Sequence, residues 1–202
     1  RHERTRSPTL EVFSDDRVDG ADPLSTRLPE ADVYNIHWTG GFLDWRRVFA
    51  RIGPARPVVF TLHDMNPFTG GCHYALGCER FTAHCGACPQ LGSSDPNDVS
   101  RGIHARKTAA LAPRRAETTR IVAPSRWLAA EAARSTLFSR FTVDVVPNGV
   151  DTEVFRPRDR AVAREVFGLP QDRPGRPLRG RQRRQPQEGL RPPHRRARRP
   201  RG

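Results

Sequence analysis

Lysine is nearly absent from this chain: of 35 basic Lys and Arg residues in 202, only Lys107 is lysine. Methionine occurs once, at Met65, and tyrosine twice. This bias indicates a GC-rich gene, because Arg, Ala, Pro and Gly codons are GC-rich and Lys codons are not. No apolar run reaches about 18 residues, which excludes a transmembrane helix within these residues. No segment repeats, which excludes solenoid and propeller architectures. The sequence begins at Arg1, so a true N-terminus, and any leader segment, is expected upstream.

The charge is unevenly placed. Of the net +13, the last 32 residues carry +10, with twelve Arg against Asp172 and Glu188, and residues 1–170 carry only +3. The pI near 11.3 thus belongs to the tail. A basic folded surface of the kind that binds nucleic acid is not implied, and no nucleic-acid partner is expected. The length suits one ordinary domain or part of a larger enzyme.

Residues 1–30 are polar and show no periodicity, so they read as an irregular segment. From residue 31 onward, short apolar runs alternate with helical patterns. Residues 31–38, 56–64, 120–124 and 141–149 read as buried strands, rich in β-branched residues and bounded by Pro, Ser, Asn or Gly. Residues 42–52 place Phe42, Trp45, Val48, Phe49 and Ile52 on one helical face, and residues 125–137 open with Ser125 as N-cap. Strand alternating with helix predicts an α/β fold with a doubly wound parallel sheet. Ligands of such sheets sit beyond the strands' carboxyl ends, where His37, His63, Ser125 and Asn148 fall.

HDMNPFTGGCHY (63–74) is the most informative stretch. His63 follows a buried strand, so its imidazole should stand at the sheet's rim, able to hydrogen-bond or exchange protons near neutral pH. Gly70 and Gly71 would let backbone N–H groups approach a ligand closely. The bland alternative is a His that caps a helix or bonds a carbonyl. In NIHWTGGF (35–42), His37 and Trp38 end a strand and Gly40-Gly41 lead into a helix. An aromatic ring and a His at a cleft edge suit carbohydrate recognition, although Trp38 packed as core is an equal reading.

Together these stretches resemble the family 4 glycosyltransferases that build bacterial exopolysaccharide, the colanic-acid type included. That family carries HDMWPFTGGCHY followed by a Cys-rich CPQL segment, and this chain departs from it in having Asn66 where the family shows Trp. IVAPSRWL (121–128) and VVPNGVDTEVFRP (146–158) match two further family signatures in order. NIHWTGGF resembles the family's HLHW segment. The resemblance implies a two-domain GT-B architecture, of which residues 31–158 would be most of the acceptor-side Rossmann-like domain, with a Cys-rich insertion at 65–101. It implies transfer of a hexose from a nucleotide-sugar donor to a saccharide or lipid-linked acceptor, with retention. No cofactor would be obligatory, and the enzyme would be cytoplasmic, touching the inner membrane peripherally. His63 would be the catalytic residue. His37, Trp38, Gly40, Gly41, Asp64, Gly70 and Gly71 would line the acceptor side.

Cys72, Cys78, Cys85 and Cys88 lie within 17 residues, close enough to share one tetrahedral zinc, and Cys85-Gly86-Ala87-Cys88 has half-site spacing. Structural zinc, disulfides and free packed thiols all remain open. A zinc-dependent nucleic-acid module is the competing function, but the loop has few basic and aromatic residues around the knuckle.

Residues 159–170 read as a connector helix with Ala161, Val162, Val166 and Leu169 on one face. Residues 171–202 have too few apolar side chains to offset chain entropy and are expected to be disordered. Their composition is that of out-of-frame GC-rich translation, and a one-base shift near residue 187 permits the basic-basic-Gly-Phe-Asp run common in the family's second domain. The expectation is therefore a frameshifted tail, and a chain that transfers no sugar by itself.

Overall fold

The structure, a computed structural model, describes residues 12–18 and 27–172. The frameshift and disorder expected for residues 173–202 lie outside the described residues, as does most of the irregular segment 1–30.

Four strands form one parallel sheet: β1 (Tyr34–Ile36), β2 (Val58–Thr61), β3 (Thr119–Ala123) and β4 (Thr142–Val145). They lie in the order β1-β2-β3-β4, with Ile36 opposite Phe60 and Phe60 opposite Ile121. The parallel α/β sheet expected from the sequence is present. Its strands advance one place at a time, so right-handed crossovers lay the intervening helices against one face. The burial pattern agrees in β2 and β3, whereas β4, expected to be a buried strand, is exposed at Thr142, Asp144 and Val145. Val58, Phe60, Ile121 and Ala123 are buried, whereas Val59, Thr61 and Val122 on the other face are half-buried and Arg120 is exposed.

Three helices connect the strands: α1 (Trp45–Ile52), α2 (Val99–Leu111) and α3 (Arg126–Arg134). Helix α1 starts later than the expected 42–52, because Asp44 caps it by accepting from the Arg47 amide. Phe42 therefore falls before the helix and is exposed, while Trp45, Val48, Phe49 and Ile52 are buried. Ser125 caps α3 as expected, accepting from the Leu128 amide. Asp98 caps α2 by accepting from the amides of Ser100 and Arg101.

The core lies between sheet and helices. Phe60 is its centre, with ring centroids 5.4 Å from Trp45, 5.6 Å from Phe49 and 5.3 Å from Phe138. Each such buried side chain contributes about 1.5–3 kcal/mol of hydrophobic stabilisation. At the amino end of the sheet, buried Arg114 donates to the carbonyls of Gly53, Arg56 and Thr118. It thereby ties the end of α1 to the starts of β2 and β3.

A fourth helix, α4 (Arg160–Val166), follows β4 within the expected 159–170. Val162, Val166 and Leu169 are all more than half exposed, and Arg164 is the buried residue, donating to the carbonyls of Pro170 and Gln171.

Candidate active site

His37 follows β1 and His63 follows β2, so adjacent parallel strands deliver two imidazoles to the same edge of the sheet. His37 Nδ1 lies 2.9 Å from His63 Nε2. Between two neutral rings this contact takes one donor and one acceptor nitrogen. The remaining nitrogens, His37 Nε2 and His63 Nδ1, then always comprise one donor and one acceptor, whichever way the inner proton points. The pair matches neighbouring hydroxyl groups, each of which both donates and accepts.

Asp64, next in sequence, is turned inward. It is 8 % exposed, accepts from the Asn66 amide through Oδ1 at 2.8 Å, and meets His73 Nδ1 through Oδ2 at 2.7 Å. The short carboxylate contact places the His73 proton on Nδ1. The Trp38 indole N–H, 3.5 Å from that same nitrogen, is then a ring approach and not a hydrogen bond. His73 Nε2 faces Ser14 Oγ at 3.0 Å. Asp64, His73 and Ser14 thus form a chain that fixes the loop behind the rim. Trp38 is 50 % exposed, with its ring 5.8 Å from that of His73.

The two Gly-Gly pairs behave differently from expectation. Gly70 donates to Cys85 Sγ at 3.2 Å and Gly71 to Thr69 Oγ1 at 3.3 Å, so both amides are already engaged. A Cβ on Gly70 would lie 2.3 Å from the Ser100 carbonyl, and one on Gly71 would lie 2.5 Å from the Phe13 ring. The close approach these glycines allow is made by Ser100 and Phe13, leaving no ligand space there. Gly41 donates to the Asp15 carbonyl at 3.0 Å, and a Cβ on Gly40 would lie 2.7 Å from Ser14 Cβ.

Residues 12–18, irregular as expected, are firmly seated across both glycine pairs. Phe13 bridges Cys72, and Ser14 donates its amide to the Gly71 carbonyl at 2.9 Å. Arg106 of α2 grips Asp15 at 2.8 Å and Asp16 at 2.5 Å. Although burial raises it, hydrogen bonds and charge from Arg17 and Arg106 hold the Asp15 carboxyl well below the usual range, while burial and the Asp15 charge push Asp16 up. Asn66, standing where the related motif has Trp, is buried and donates to the Gly71 carbonyl at 2.9 Å and the Ser14 carbonyl at 3.4 Å. Position 66 is a structural tie here.

Beneath this loop lies Lys107, 1 % exposed, donating to the carbonyls of Asn66 at 2.5 Å and Thr69 at 3.2 Å. Burial lowers its ammonium to about 8, against the pull of Asp16, Cys72, Cys85 and Asp64. Sequence reasoning missed it, although its being the only lysine among so many arginines was a usable signal. Ser14 and Arg106 were also missed, because their partners are 59 and 90 residues away.

The four cysteines are free thiols, Cys88 buried and the others half-buried, and all four line one small pocket. Burial pushes Cys72 and Cys85 up to about 12, so neither is a thiolate at neutral pH. Among the described residues, no group of three or more His, Cys, Asp or Glu already stands where it could hold a metal ion. Nor is any helix of the described residues long and apolar enough to cross a membrane.

The carboxyl edge of this parallel α/β sheet, where such folds place their ligands, thus carries two groups that can pair with hydroxyls. The family model described as Glycosyltransferase Family 4 matches residues 23–154, and the chain belongs to that family. It therefore carries a glycosyltransferase domain, with a sugar donor and an acceptor as its substrates in general terms. No curated protein and no solved structure matches the chain.

Proposed function

We propose that the chain is the acceptor-side part of a GT-B enzyme of the colanic-acid type, moving a hexose from a nucleotide-sugar donor to a saccharide or lipid-linked acceptor in polysaccharide biosynthesis. The reaction retains anomeric configuration and takes place at the cytoplasmic face of the inner membrane. What carries this reading is the His37–His63 contact at the ends of adjacent strands in a family 4 domain. His63 orients the donor sugar's hydroxyls near the reacting carbon, and His37 completes the donor–acceptor pair. Trp38, half exposed beside them, supplies a ring face for the acceptor sugar. Donor phosphates are neutralised by helix N-termini and basic side chains of a second domain, with no obligatory metal.

The test is His63→Ala in an intact homologue carrying the HDM-x-PFTGGCHY motif and a donor-binding half. Loss of a positioned polar group near the reacting centre costs about 10²–10⁴ in turnover. His63 belongs to a polar rim pair and not to the core, so the melting temperature should hold. Turnover near that of the wild type would remove His63 from the site.

A further inference from the structure

We propose that Cys72, Cys78, Cys85 and Cys88 form a structural binding site for one soft divalent cation, zinc being the test ion. The site lies outside the His37–His63 rim and does not depend on the reading given for it.

Four observations meet at this pocket. The first is convergence: thiols from three stretches of the 65–101 insertion, Cys85 and Cys88 sharing one of them, line a single pocket, unpaired as disulfides. Packing alone does not require four sulfurs to share one cavity. Secondly, a backbone donor is aimed at one of the sulfurs: Gly70 donates to Cys85 Sγ at 3.2 Å. An N–H aimed at sulfur is a weak partner for a thiol and a good one for a thiolate, so this amide suits a metal-bound sulfur.

The third observation is strain. Leu76, Cys85 and Ala87 are the only non-glycine residues with positive φ among those described, at 50°, 45° and 42°, and all three lie in the cysteine-bearing loop. Left-handed backbone at such residues persists when the surroundings hold it there. The Cys85–Cys88 knuckle with Gly86 at φ 115° turns its two sulfurs into one pocket.

The fourth is charge. Binding breaks four S–H bonds, forms four sulfur–metal bonds, and releases four protons to solvent, leaving the cluster at net −2. Two cations are in place to balance it. Arg80 lines the pocket and donates to the carbonyls of Gly86 and Ala87, and the buried Lys107 ammonium donates to the Thr69 carbonyl, three residues before Cys72. Since no three donors already stand at ligating distance, the pocket must contract on binding. Residues 69–98 contain turns and short 3-10 segments, so no strand or α-helix need be broken as the sulfurs close in.

The experiment is metal analysis of the full chain purified without chelator, followed by cobalt exchange. About one zinc per chain, an absorption spectrum of tetrahedral cobalt–thiolate coordination, and release of about four protons per ion added to metal-free protein at pH 8 are expected. Cys85→Ser and Cys78→Ser should each weaken zinc binding, read by competition with a chromophoric chelator. If a variant fails to fold, the wild-type cobalt spectrum and proton count still decide. A protein that carries no zinc and shows no cobalt–thiolate bands would overturn the proposal. So would a chain whose non-reduced mass shows two disulfides.

Discussion

The substitution Lys107→Met should change how stability depends on pH more than it changes stability at pH 7. The wild-type ammonium falls from 10.5 to about 8 on folding, because burial disfavours its charged form. At about 1.4 kcal/mol per pH unit, holding that charge inside the fold at pH 7 costs about 3 kcal/mol. Between about pH 8 and 10.5 the unfolded chain keeps the proton and the folded chain does not, so stability rises with pH across this window. The thioether of the variant has nothing to titrate. At pH 7 the variant loses two charge-assisted hydrogen bonds, to Asn66 and Thr69, worth about 1.5–3 kcal/mol each, but it also sheds the buried charge. The two terms largely cancel, and the variant should lie within about 3 kcal/mol of wild type. By pH 10.5 the wild type should have gained about 3 kcal/mol on it. Above about pH 9 both curves should bend down in metal-stripped protein. Unfolded thiols ionise there, while Cys72 and Cys85, held up to about 12, do not. That shared slope cancels in the difference. Urea melts of both proteins at half-unit pH steps give the measurement. Parallel curves from pH 7.5 to 10.5 would refute the burial argument.

His104 makes the opposite edge of the pH range sensitive. Burial, then Lys107 and Arg101, lower it from 6.5 to about 4, so its contribution is complete above pH 6.5 and lost as pH falls through about 4, a change of about 3 kcal/mol. His104→Gln should flatten the acid limb of the stability curve, and an unchanged limb would count against a buried neutral imidazole. Gly71→Ala should destabilise by about 2–4 kcal/mol, combining strain at φ 123° with displacement of the Phe13 ring. It should also expose residues 12–18 to protease, so a melting temperature and cleavage pattern like those of wild type would show that the strap is not held by this contact.

The sheet was legible because β-branched runs bounded by Pro and Gly sit where Val58, Phe60, Ile121 and Ala123 are buried. Helix α2 was not. Its inward face carries Ser100, His104 and Lys107 as well as Ile103 and Leu111, so the apolar periodicity is interrupted by the residues that serve the site. His63 and His37 were legible as strand-end residues. Asp64 was expected to meet substrate but has both oxygens engaged by Asn66 and His73. A pairing between residues nine apart in a turn has no periodic signature. The role of Gly70 and Gly71 misled for a related reason: the pattern tells that something approaches the backbone, not that it is Phe13.

The seating of residues 12–18 also sets a schedule for folding. Ser14 meets His73 across 59 positions and Asp16 meets Arg106 across 90. At about 5–20 residues per second, a ribosome needs on the order of 5–20 s to make the partner of Asp16 after Asp16 itself. Gly71 and His73 are made earlier, but until Arg106 follows, its grip on Asp15 and Asp16 is missing and the segment over the His73–Asp64 pair lacks that anchor. The rim would mature only once α2 is made, and a nascent chain halted before α2 would carry both imidazoles on an unfinished base.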